Sequence, residues 1–270
     1  TKSGNGRLIL SGNSNTWSGT TNVQAGTLRV SGANALGTSA STKVLSGATL
    51  EIDGGISLAE PIELSSGSTL RNGSGDNTIT LPLLLRENGS RVIDVRQDSL
   101  TLHPTAGKAV DADNNVVADL TFAGSGDLVL QGLFDLDNGQ APAAYGDFRQ
   151  TGTGVARFMD SIIVDEVESK GGGTIWMDQP GGLPVSLPST TSISLDNGSI
   201  LRRDSSETVT GASLSLGAGG GGISVGNGFT LVWNSPITGV GTVTKAGDGT
   251  LRFPSTAAIN YTGATNVIGG

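Results

Sequence analysis

From Leu8 to Val92 the apolar residues keep a beat: Leu8, Leu28, Leu50, Leu70 and Val92 stand 20, 22, 20 and 22 residues apart. Most follow a turn of small residues, namely Ala25-Gly26-Thr27, Ser46-Gly47-Ala48-Thr49, Ser66-Gly67-Ser68-Thr69 and Asn88-Gly89-Ser90-Arg91. After each turn the pattern alternates, as in Leu28-Arg29-Val30 and Leu50-Glu51-Ile52. That spacing puts residues two apart on one face of an extended strand. A beat of this length with period-two strands predicts the coils of a solenoid, each leucine lying over the one before. Leucine-rich repeats share the period, but their L-x-x-L-x-L frame and asparagine ladder are missing. No segment carries a convincing helical period, so almost no helix is expected.

The beat fails between Val95 and Ser169. Residues 105–115 read as a polar loop. Residues 134–150, with Pro142, Tyr145 and Phe148, read as an excursion from the coil. Such protrusions are where solenoids carry recognition. Regular coils return at Ile193-Ser194-Leu195 and run on to Val232. Asn72-Gly73, Asn138-Gly139, Asn197-Gly198 and Asn227-Gly228 supply corners that tolerate positive φ.

A longer stretch also returns. Thr1, Lys2, Gly4, Gly6, Leu8 and Leu10 recur as Thr244, Lys245, Gly247, Gly249, Leu251 and Phe253, displaced by 243. After a one-residue insertion, Trp17, Gly19, Thr21, Asn22, Val23 and Gly26 recur as Tyr261, Gly263, Thr265, Asn266, Val267 and Gly270. A weaker copy, GSGDLVLQG, spans Gly124 to Gly132. With copies starting near 4, 124 and 247, residues 1–270 are expected to form a single β-solenoid segment of a longer repeat protein.

This stretch resembles the passenger-associated transport repeat, or autotransporter-associated β-strand repeat, of bacterial surface proteins. The elements of that repeat are Gly4-Asn5-Gly6-Arg7-Leu8-Ile9-Leu10-Ser11-Gly12, then Asn15-Thr16-Trp17-Ser18-Gly19-Thr20-Thr21, then Val23 to Val30. The resemblance implies an all-β, right-handed parallel β-helix. It also implies an outer-membrane translocator barrel in cis or trans and a cell-surface or extracellular location. It gives a structural role to Gly4, Gly6, Leu8, Leu10, Trp17, Gly19, Gly26 and Leu28, and to Gly247, Gly249, Leu251, Tyr261 and Gly263.

Composition sharpens this picture. Gly is 43 of 270 residues and aromatics are 4%, which suits flat, stacked turns better than an ordinary globular core. A formal charge of −8 and no basic patch argue against a nucleic-acid partner. The lack of Cys excludes disulfides and thiolate metal sites and is compatible with export through an oxidising compartment. No apolar run approaches membrane-spanning length.

Candidate chemistry is thin. Gly217 to Gly222 fits G-x-G-x-x-G, but Ile223-Ser224-Val225 reads as a strand where a phosphate cradle needs a helix. Gly222 to Gly226 fits G-x-S-x-G without the strand-turn-helix context, and the one histidine, His103, reads as a strand-end surface residue. Asp111 to Asn115 opens like a calcium loop, but Val116 and Phe122 stand where Gly and a bidentate carboxylate are needed. The acids Asp160, Asp165, Glu166 and Glu168, with Asp178, would suit a polysaccharide lyase or hydrolase, but they read as a solvated face. Tyr145 and Trp176 are candidate sugar platforms, whereas Trp17 and Tyr261 share a repeat position and are expected to pack inside or cap the coil. The expectation is a structural or adhesive stalk without catalysis, cofactor or metal, touching a host or neighbouring-cell protein or glycan through its loops. A secreted lyase or hydrolase and a passive spacer are the rivals.

Overall fold

A computed structural model describes residues 1–105, 107–113, 116–136, 145–179, 185, 188 and 191–270. Each beat of the sequence is one turn of chain. A coil runs along a first face, then a second, then a third, before rising onto the next coil. The first face is an 11-stranded parallel sheet from Arg7–Leu10 to Ile237–Gly239. The second holds 10 strands, from Ser57–Leu58 to Thr265–Val267. The third is carried by a seven-stranded sheet, Thr21–Val23 to Ile162–Ile163, and later by a three-stranded one, Glu207–Val209 to Thr250–Arg252. The chain is thus an all-β, parallel β-solenoid of about 11 turns, with no helix among the described residues. At the usual interstrand spacing the first face is roughly 50 Å tall.

Register confirms the leucine stack and corrects one member of it. Leu8 pairs with Leu28, Leu28 with Leu50 and Leu50 with Leu70. The next residue in the column is Ile93, while Val92 sits opposite Thr69 and faces outward. The cause is Arg91, which turns inward and is fully buried. Its guanidinium donates to the carbonyls of Leu64, Gly89 and Glu87. Alternation then sends Val92 out and Ile93 in.

The column continues as Phe122, Gln150, Ser169, Leu195, Leu216 and Gly239. Gln150 and Ser169 are buried polar members that satisfy one another, the Ser169 hydroxyl donating to Gln150 Oε1 at 2.9 Å. Here lies the failure of the beat: a hydrogen-bonded pair fills places where leucines stood.

Parts of both expected excursions belong to the coil itself. Lys108–Ala112, inside 105–115, is a strand of the third face paired with Leu83–Leu85. Within 134–150, Phe134 and Asp135 belong to strand Leu133–Asp135, and Phe148–Gln150 belongs to the first face. Residues 114, 115 and 137–144 lie outside the described residues. Phe134, Phe148 and Phe158 point inward from the three faces and meet edge to face, with ring centroids 5.0 to 5.6 Å apart. Outside, charges alternate up the first face as Arg29, Glu51, Arg71 and Asp94 in register. Glu51 lies within 3.4 to 3.6 Å of Arg7, Arg29 and Arg71.

Candidate functional site

The two ends of the chain contain the same built object. In the first copy Lys2 bridges in parallel to Val23, and Arg7–Leu10 lies between them. In the last copy Val243 pairs with Thr265 and Lys245 with Val267, and Thr250–Arg252 lies between them. One copy of the repeat is therefore one turn of the solenoid, its last strand hydrogen-bonded to its first.

The glycines make the turn flat enough to close. Gly4 and Gly247 hold φ near 76° and 72°, a region that a Cβ disfavours. Gly26 lies directly on this corner, where an added Cβ would stand 2.6 Å from the Gly4 oxygen. Gly270 lies over Gly249 and Gly247 at ordinary contact distance, and a Cβ there would crowd the Lys245 ammonium. The corner recurs mid-chain: Gly152 presses on Gly124, Gly154 on Gly126, then Gly171 on Gly152 and Gly173 on Gly154. Gly263 presses on the Gly241 carbonyl, whereas Gly6 and Gly19 have open space around them.

Leu28 is buried, Leu10 and Leu251 are partly so, and Leu8 is exposed at the end coil. Trp17 is 41% exposed and overhangs a hollow of about 340 Å³ lined by Leu8, Leu10 and Leu28. Tyr261 packs partly against the core, and its hydroxyl meets that of Thr265. The L-x-L strands of the three copies occupy three different faces: Arg7–Leu10 the first, Asp127–Leu130 the second and Thr250–Arg252 the third.

The candidate acids divide among separate settings. Glu168 is buried between Arg149 and Lys170. Burial pushes its carboxyl up, but the two cations hold it below the ordinary glutamate range. Asp178 pairs with Arg157 at 3.2 Å, and Asp160 accepts the Ser161 N–H at 2.7 Å. Val164, Val167 and Ile162, interspersed among the acids, are core residues. Asp111 and Asp113 pair with Arg86, and Asp111 also with Lys108. Among the described residues no group of three His, Cys, Asp or Glu side chains is placed to hold a metal ion.

His103 is an exposed strand-end residue, and Gly217 to Gly222 lead from a turn into the strand Gly221–Val225. Tyr145 is half-buried. Trp176 lies in register between Arg157 and Arg202, whose guanidinium carbons sit 4.0 and 3.9 Å from the indole centroid. Both ring faces are covered by cations, so neither is open to a sugar. Sequence spacing alone revealed neither this sandwich nor the close contacts between glycine corners.

Glu166 belongs to a different setting again. Asp119, Asp147 and Glu166 stand one residue ahead of the paired Leu120, Phe148 and Val167, so three carboxylates stack on successive coils. Burial, then Asp119, Glu166 and Asp165, raise the Asp147 carboxyl above the ordinary aspartate range. A raised value means that folding favours the proton. Its contribution is complete below the ordinary aspartate range and is lost as pH rises through the folded value. Asp147→Asn is therefore expected to stabilise the rod slightly near neutral pH, by about 0.5 kcal/mol or less once solvent screening of this partly exposed group is counted, and by nothing at acidic pH. Urea titrations of both proteins at the two pH values measure it, and a destabilised variant at neutral pH would contradict it.

Residues 1–30 and 243–270 match the passenger-associated-transport-repeat family, so the chain carries that repeat at both ends. No curated protein and no solved structure matches the chain. The repeat match and the solenoid together fit an autotransporter passenger. No helix among the described residues is long and apolar enough to cross a membrane.

Proposed function

We propose that the chain is part of an extracellular stalk of a bacterial surface protein, whose repeats help it fold as it emerges from a translocator barrel. The observation that carries this reading is the pair of repeat-bearing turns at the two ends, each hydrogen-bonded from its last strand to its first. A chain delivered in one direction can add coils one at a time, each templated by the parallel ladder already formed. Free energy released on stacking then opposes slippage back into the pore. The pairing of Glu168 and Asp178 with cations favours a role without catalysis.

Adhesion belongs to the same proposal, and the polar segments around residues 113–116 and 137–147 are where it would be sought. A host or neighbouring-cell protein or glycan would be the ligand.

Display of the chain ahead of a translocator barrel tests the export role. Replacing residues 243–270 with a glycine-serine linker of equal length should lower surface-accessible protein several-fold. Equal display would remove the export role. Deleting residues 137–144 should reduce cell attachment, and unchanged attachment would favour a passive spacer.

A further inference from the structure

Lys2 and Lys245 occupy one position in the two repeats, and each is only 9% exposed. Buried cations usually pair with an acid. These two are held by carbonyl oxygens instead. Lys2 Nζ donates to Gly4 O at 2.7 Å and to Ala25 O at 2.8 Å, with a longer contact of 3.3 Å to Ser3 O. Lys245 Nζ donates to Gly247 O and, at 2.7 Å, to Gly269 O. Gly4 aligns with Gly247, and Ala25 aligns with Gly269 across the one-residue insertion. Both lysines therefore join the opening corner of a coil to the corner at its end.

Two facts argue that this geometry is a device. Positive φ at Gly4 and Gly247 lets those carbonyls face the ammonium, which ties the glycine of the motif to its lysine. The arrangement also recurs with a neutral donor. Asn72 is fully buried, and its Nδ2 donates to Gly75 O at 3.1 Å and to Gln97 O at 2.8 Å, one coil on. At the degenerate middle copy the lysine position is Phe122, which instead fills the core.

We propose that the repeat lysine is a staple that locks the last corner of a coil to its first, so that each repeat closes into a self-supporting turn before the following coil is laid down. The staple needs no export machinery, and failure of the export reading would leave it standing.

Hydrogen exchange on the whole chain tests it. Lys245→Met keeps the apolar stem and removes the donors. It should lower amide protection at least tenfold across Val243–Ala246 and Thr265–Val267 while leaving Thr49–Asp53 unchanged. Asn72→Leu places the same test mid-rod, away from fraying ends, and should lower protection only in the coils joined through Gly75 and Gln97. Unchanged protection in both variants overturns the proposal. So does an even loss along the rod, because that would reveal general destabilisation in place of a local clasp.

Discussion

Replacing Phe148 with alanine is expected to cost about 3–5 kcal/mol, the range for truncating a buried aromatic. Phe148 is fully buried and meets both Phe134 and Phe158 edge-on, at 5.6 and 5.0 Å between centroids. Its removal opens a void that three faces would have to collapse together to fill. Their strands are each hydrogen-bonded to coils above and below, so collapse is resisted on every side. A solenoid transmits such a loss mainly to neighbouring coils. Urea unfolding should report the total, and exchange protection should fall most in the strands Ala118–Gly124, Phe148–Gln150 and Glu166–Ser169. Leu8→Ala, at an exposed end position, is the control and should cost under about 1 kcal/mol. A Phe148→Ala penalty no larger than the control's would mean that the aromatic cluster is loosely packed.

Gly154→Ala carries the second large effect, about 3 kcal/mol or more. A Cβ at Gly154 would fall well inside contact distance of the Gly126 carbonyl oxygen, and backbone cannot swing aside as a flexible side chain can. Overpacking of this kind ordinarily costs 1–3 kcal/mol, and here it also pries apart two coils joined by parallel hydrogen bonds. Gly6→Ala tests the mechanism at the matching place in a G-x-G corner, where nothing lies within 4 Å of the added atom. That variant should unfold within about 0.5 kcal/mol of the wild type. Comparable losses at both positions would show that glycine's flexibility, and not its small size, is what these corners require.

Where hydrophobic alternation ran unbroken, the sequence was enough to place the strands. Leu8, Leu28, Leu50 and Leu70 stack as their spacing predicts, because coils of 20 to 22 residues each bring one leucine back onto the first face. Legibility ends where a polar residue turns inward. Nothing in an apolar pattern predicts that Arg91 will be buried on three carbonyls, and the error of one residue at Val92 follows from it. Gln150 and Ser169 hide a stretch of solenoid in the same way, since hydroxyl and amide satisfy each other where leucines would have marked the beat. The candidate acids were easy to find in the sequence, but two of them have a cationic partner one coil away: Glu168 meets Arg149 as well as its near neighbour Lys170, and Asp178 meets Arg157. Pairing across coils depends on coil lengths, which loops alter without leaving a compositional trace.

The three L-x-L strands lie on different sides of the rod, and this limits what the motif can be for. A lateral receptor walking up one flank would meet the motif once and then lose sight of it. The end of a growing rod, by contrast, presents each new coil whatever its azimuth, which is the setting the proposed folding role requires.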